Sequence, residues 1–271
     1  MTMNGNAFVI GAGNGICRAT AIAFAKEGVK GLLVADLDLD AALRTAEECK
    51  AAAQNPDFVV KGIQLDVSLP EAVKDATSLM VETFGRIDYC VNGAGITSAS
   101  PTHISKIDFK QFQKVYDVNV NGTFLVLNAV SDVMATQEPR PNDETQPGRG
   151  TSRGSIVNVA SITSTAALPR TASYTSSKHA VLGLTRAAAI DNLENGIRVN
   201  CVCPSWVDTP MTQRACDNTP GFDRLVKSQL PMGRMAMSEE IADSIIFLAS
   251  SKASFITGSS LMVDGALSIR I

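Results

Sequence analysis

An open, doubly wound α/β sheet of about seven parallel strands with helices on both faces is the fold this sequence predicts. Three observations point there. Strand-like and helix-like segments alternate from end to end, a glycine-rich turn joins the first strand to the first helix, and polar or turn-forming residues recur just past successive strands.

The elements follow in order. Ala7–Ile10 is a short apolar strand and Gly15–Glu27 a helix. Gly31–Ala35 reads as a second strand, Ala41–Ala53 as an alanine-rich helix, Phe58–Leu65 as a strand and Glu71–Phe84 as a helix. Asp88–Val91 is strand-like, and Phe109–Met134 predicts one long helix. The β-branched runs Ser155–Ala160 and Ile197–Val202 flank a helix over Ala172–Leu193. A helix over Glu239–Ala249 precedes a short strand at Ser260–Val263. Residues 137–153 (QEPRPNDETQPGRGTSR) carry proline, glycine and charge without periodicity, and predict an exposed loop at the N-terminal edge of the sheet. No internal repeat divides the chain, so residues 1–271 are expected to form one domain.

Composition narrows the function classes. Hydrophobic residues are 45% of the 271 and charged residues 19%, ample for a buried core. The net charge of −3, without a run of Lys or Arg, gives no reason to expect nucleic acid or an anionic membrane as partner. No apolar stretch reaches the length of a bilayer span, and the polar start Met1–Asn6 leads straight into a strand, so neither membrane insertion nor a signal peptide is expected. Six cysteines without a C-x-x-C pair, beside two histidines, predict reduced core thiols in a cytoplasmic protein and no metal site.

The first βα turn reads Ile10-Gly11-Ala12-Gly13-Asn14-Gly15-Ile16-Cys17. Glycines here let the backbone approach a pyrophosphate, and the helix that follows favours its charge. By itself such a turn is weak evidence, since ordinary tight turns look the same. Asp36, 21 residues after Gly15, ends the second strand. A carboxylate there accepts from ribose hydroxyls and repels a 2′-phosphate, and neither Asn14 nor Leu37 supplies an offsetting cation. NAD is therefore expected over NADP. Gly11, Asp36, Asp66, Asn92, Ser161 and Pro204 should line one edge of the sheet, where doubly wound folds bind ligands.

Tyr174 and Lys178 are four apart on a predicted helix and share a face. A tyrosine ionises near pH 10, so work as a base near neutrality needs a shift of about three units, about 4 kcal/mol. A nearby ammonium and a cationic nicotinamide ring are the groups expected to supply it. Ser161, 13 residues earlier and just after a strand, can hold the reacting oxygen. An isolated Y-x-x-x-K is equally a surface lysine lying beside a half-buried tyrosine; context decides.

Taken together these motifs resemble those of the short-chain dehydrogenase/reductase family, along essentially the whole chain. Gly11 and Gly15 match its glycine turn, Asn92-Gly93-Ala94-Gly95 its N-N-A-G segment, and Pro204-Ser205 with Thr209 its nicotinamide-side turn. The resemblance implies a Rossmann-like fold with Asn119, Ser161, Tyr174 and Lys178 as the catalytic set. It assigns the cofactor to Gly11, Gly13, Asn14, Gly15, Ile16, Asp36, Asp66, Val67, Asn92, Ala94, Gly95, Tyr174, Lys178, Pro204, Val207 and Thr209. It also implies hydride transfer between a nicotinamide and a small-molecule alcohol or ketone, with Asn119 placing a water that links Lys178 to solvent. Departures are Ile10 for a threonine, Cys17 for the last glycine of the turn, Gly93 for an asparagine and Ser205 for a glycine. The long 137–153 segment resembles insertions in fungal members tied to secondary metabolism. Homo-oligomers, tetramer before dimer, are implied through the helices 109–134 and 172–193. A non-redox relative, a cyclase, isomerase or cofactor-sensing protein, is the alternative. Trp206, Met211, Phe222, Leu225 and Leu230 suggest an apolar substrate pocket or the packing of a lid.

Overall fold

The structure, a computed structural model, describes residues 3–98, 100–217 and 221–269, without the side chains of residues 222, 223 and 225. The core strands are mostly apolar because both faces are covered. In β1 (Asn6–Ile10), Ala7 and Val9 face one layer while Phe8 and Ile10 face the other. The parallel sheet runs in the order β3 (Val59–Gln64), β2 (Gly31–Asp36), β1, β4 (Tyr89–Asn92), β7 (Gly154–Val159), β8 (Ile197–Pro204), β9 (Ser260–Val263). The chain turns from β1 towards β2 on one side and later returns to place β4 on the other, which opens a crevice above the β1–β4 junction.

Helices α1 (Gly15–Glu27), α2 (Leu39–Ala52) and α9 (Ser238–Ala249) cover one face, and α3 (Pro70–Phe84), α5 (Gly122–Ala135) and α6 (Ala172–Asp191) the other. Strand and helix limits agree with the sequence expectation to within two residues, with three differences. The helix expected over Phe109–Met134 is α4 (Phe109–Tyr116), a π-helical turn over Asp117–Asn121, and then α5. The wider turn presents Asn119 inward and lets Thr123 Oγ1 donate to the Asn119 carbonyl at 2.7 Å. Two helices that carry no clear sequence signal, α7 (Pro210–Asp217) and α8 (Phe222–Gln229), follow β8.

The expected loop 137–153 is instead a short hairpin, β5 (Arg140–Pro141) with β6 (Thr151–Ser152), clipped to the N-terminal edge. Gln137 behaves like an added strand residue: Ile87 N donates to its Oε1 at 2.7 Å, and its Nε2 donates to Ile87 O at 2.9 Å. Arg140 reaches Asp88, and Arg149 donates to Ser251 O and Ser254 Oγ.

One buried cation fastens α9. Arg198, on β8, donates to the carbonyls of Leu248 (2.7 Å), Ala249 (3.0 Å) and Ser250 (2.9 Å), which the end of the helix leaves without partners. Arg198→Met strands those acceptors in the core, and about 3 kcal/mol of stability should be lost in urea unfolding. A loss below 1 kcal/mol would mean that the carbonyls find other partners.

Candidate active site

Glycine turn and acidic strand end. Gly11 (φ +77°) and Gly15 (φ +55°) take left-handed conformations that other residues avoid. A Cβ on Gly11 would stand 2.7 Å from Ala94 N, so the ends of β1 and β4 touch through this glycine. Asn14 caps α1 in an extended conformation but gives the helix no side-chain bond, which leaves the first N–H groups of α1 for a ligand. Asp36 is built into the same turn. Its Oδ2 accepts from Gly13 N at 2.7 Å and its Oδ1 from Asp38 N at 3.0 Å, and a Cβ on Gly13 would collide with the carboxylate. Three glycines, an open helix N-terminus and a fixed carboxylate suit a dinucleotide, whose diphosphate would sit over Gly11–Ile16 and whose ribose would face Asp36.

Tyrosine, lysine, serine and asparagine. Ser161 follows β7, Tyr174 and Lys178 lie on α6, and Asn119 lies on the π-helical turn; the fold brings all four together. Burial raises the Tyr174 hydroxyl above its ordinary pKa, and only the neighbouring Ser161 hydroxyl works against that. Lys178, 6% exposed, donates from Nζ to Val159 O at 2.9 Å and stands 5.7 Å from the centre of the Tyr174 ring. Burial lowers it to about 8. Without a cofactor, desolvation dominates at the tyrosine; the expected lowering involves the cationic nicotinamide ring together with this ammonium.

Asn119 commits both amide hydrogens, to Ile96 O (2.9 Å) and Ser177 Oγ (3.0 Å), while its Oδ1 accepts from Ile96 N (2.8 Å). Gly95 lies between the groups. A Cβ there would come within 3.3 Å of Asn119 Oδ1 and 3.5 Å of Lys178 Nζ.

Other expected residues divide. Asn92 ends β4 and donates to Thr123 Oγ1 at 3.3 Å, while its buried Oδ1 has no protein partner among the described residues. Thr209 packs against Gly15, Pro204 is buried at the end of β8, and Val207 bridges to Ala236. Asp66 turns onto Ser68, accepting from its N and Oγ, and Val67 packs beside Gly122. Leu230 is buried with Ile162, Val226 and Leu267, and Trp206 packs against them. Met211 is half-buried; the side chains of Phe222 and Leu225 lie outside the described residues. Sequence reasoning missed Ser177, which ties α6 to Asn119, and Ser164, whose Oγ accepts from Ser161 N. Neither stands out in the sequence, because a serine on a helix or in a short turn carries no pattern.

Comparison with known proteins gives a consistent answer. A family profile described as enoyl-(acyl carrier protein) reductase matches residues 11–268. The short-chain dehydrogenase fogB of Aspergillus ruber is 50% identical, covering 99% of this chain and 98% of its own. The 2,5-dichloro-2,5-cyclohexadiene-1,4-diol dehydrogenase of Sphingobium indicum is 37% identical over 95% and 94% of the two chains. The crystal structure of levodione reductase superposes with a TM-score of 0.88 at 28% identity, covering 100% of both chains. The chain belongs to the short-chain dehydrogenase/reductase family, nicotinamide-dependent oxidoreductases of alcohol and carbonyl groups.

Proposed function

We propose that this protein interconverts a bulky, mainly apolar secondary alcohol and its ketone, with NAD(H) preferred over NADP(H). The observation that carries the reading is the convergence of Tyr174 and Ser161 with the buried Lys178, whose Nζ is held by Val159 O 5.7 Å from the centre of the tyrosine ring. A nicotinamide held at the glycine turn and Lys178 would supply hydride-transfer chemistry at the carbinol carbon. In oxidation Tyr174 Oη takes the hydroxyl proton; in reduction it donates that proton to the carbonyl oxygen. Ser161 Oγ holds the same oxygen, and Lys178 steadies the nicotinamide ribose. Asn119, with both amide hydrogens committed, pins Ile96 and α6 in register, and a water on its backbone carbonyl would link Lys178 to solvent.

Support for the substrate class comes from the apolar group of Ile162, Trp206, Leu230, Met235 and Leu267 next to Ser161, and from two relatives whose names denote a cyclic diol and levodione as substrates. The long 137–153 segment, which resembles insertions in fungal members tied to secondary metabolism, supports a place in such a pathway. We expect NADH absorbance to fall with alicyclic or polyketide-like ketones. No turnover across such a panel, or a preference for charged or polyhydroxylated substrates, would overturn this reading.

The cofactor preference follows from Asp36, whose carboxylate is fixed by Gly13 N and Asp38 N and is not free to turn from a 2′-phosphate. NADH should give at least tenfold higher kcat/KM than NADPH, and Asp36→Ala should narrow that gap. Equal use of both by the wild-type protein refutes the assignment.

A cytoplasmic homo-oligomer, tetramer before dimer, completes the proposal. Phe124 on α5 is 52% exposed and Ile190 on α6 is 70% exposed, near Gly183 and Ala187 on the outer side of α6. A monomeric mass by light scattering at micromolar protein would contradict it.

A further inference from the structure

Two of the sequence departures meet in space. Cys17, in the first turn of α1, is buried, and a Cβ built on Gly93 falls onto its Sγ, with Val159 Cγ2 as the next neighbour at 3.2 Å. The thiol therefore fills the volume that a side chain at residue 93 would occupy. From there the chain runs through Ala94, which touches Gly11, to Gly95, which lies against Asn119 and Lys178. Gly93 N also donates to Ile10 O at 3.0 Å, so the segment has little room to slide along β1.

We infer that Cys17 is a positioning residue: its side chain replaces that of residue 93 as the wedge between α1, β4 and β7, and it sets residues 93–95 relative to both the glycine turn and the Lys178–Asn119 pair. The two positions are then one steric unit. A residue larger than glycine at 93 is compatible only with a smaller one at 17. With Cys17 in place, any side chain at 93 pushes the 93–95 backbone towards Gly11 on one side or Lys178 on the other. Both movements narrow the crevice over the β1–β4 junction, where the cofactor is proposed to bind. The thiol works through its volume: burial pushes it up to about 12, which keeps it protonated and unreactive.

The inference rests on cofactor binding at this crevice but not on turnover, so it is tested by binding. Wild type, Cys17→Gly, Gly93→Ala, Gly93→Asn and the double variants Cys17→Gly/Gly93→Ala and Cys17→Gly/Gly93→Asn are titrated by fluorescence. The titrant is whichever of NADH and NADPH binds wild type more tightly. Circular dichroism confirms folding, and the temperature is well below each melting point. Gly93→Ala and Gly93→Asn should each weaken binding at least tenfold in folded protein, and adding Cys17→Gly should return Kd to within threefold of wild type. Should Gly93→Asn fail to fold, recovery of folded, binding-competent protein in its double variant supports the steric unit, and no recovery refutes it. Double variants that bind as weakly as the singles overturn the inference. So does a fall in melting temperature with Kd unchanged, which would mean a packing role alone. Wild-type protein that binds neither cofactor would instead refute the proposed function.

Discussion

Tyr174→Phe should lower kcat/KM by at least a thousandfold while NADH binds within about threefold of wild type. The substitution removes only Oη. The ring stays against Lys178, whose Nζ is held by Val159 O and not by the phenol. The lost group is the one placed to pass a proton to or from the substrate oxygen, and Ser161, the remaining hydroxyl, is a poor acid and a poor base near neutrality. The same geometry sets a pH dependence. Burial raises the Tyr174 hydroxyl, so it is protonated at neutral pH and suited to donate. Reduction of a ketone should hold steady through neutral pH and fall only on the alkaline side, as the phenol ionises. Oxidation of the alcohol needs the phenolate and should rise over that same alkaline range. A phenylalanine variant with more than a few per cent of wild-type turnover would assign the proton to another group.

The fold was legible because parallel strands buried on both faces write themselves as short apolar runs, as in Phe8–Ile10 and Leu32–Ala35. What escaped was local. The π-helical turn at Asp117–Asn121 keeps helical periodicity on both sides, and its sequence, DVNVN, contains neither proline nor glycine to mark a break. The hairpin within 137–153 rests on side chains far away in sequence, such as Arg140 on Asp88 and Arg149 on Ser254, which no local pattern encodes. Helices α7 and α8 are short and polar; α7 starts just after Thr209, which packs against Gly15, and α8 docks through Val226 on the group around Ile162.

The site was legible as a set of residues and less so as a set of contacts. Glycine spacing, Asp36 and the Tyr174–Lys178 interval follow from strand ends and helix periodicity. That Asp36 supports the glycine turn, or that Asn119 spends both amide hydrogens on Ile96 and Ser177, requires the third dimension. The departures at 17 and 93 look unrelated along the chain and become one packing event only when α1 and β4 meet.

Lys178→Met should stabilise the protein without cofactor while removing its activity. The ammonium is buried, with Val159 O as its one hydrogen-bond acceptor among the described residues, and burial lowers its pKa from 10.5 to about 8. A depression of that size corresponds to about 3 kcal/mol of unfavourable burial at neutral pH. For a base whose folded pKa lies below its unfolded value, the unfolded chain binds more protons between the two. Wild-type stability should therefore rise with pH between about 8 and 10.5, and the full penalty applies below that window. Methionine keeps the length and apolar stem without the charge. Part of the gain is lost because Val159 O is left without its donor, so the net is on the order of 1–2 kcal/mol at pH 7. Urea unfolding of the two proteins without cofactor at pH 7 and pH 10 measures it. The variant should be the more stable at pH 7, by a margin that shrinks at pH 10, and should show weaker NADH binding and no measurable turnover. A variant less stable than wild type at pH 7 would show that the lysine is held by interactions strong enough to outweigh its desolvation. A margin unchanged between the two pH values would mean that its proton is not the source of the strain.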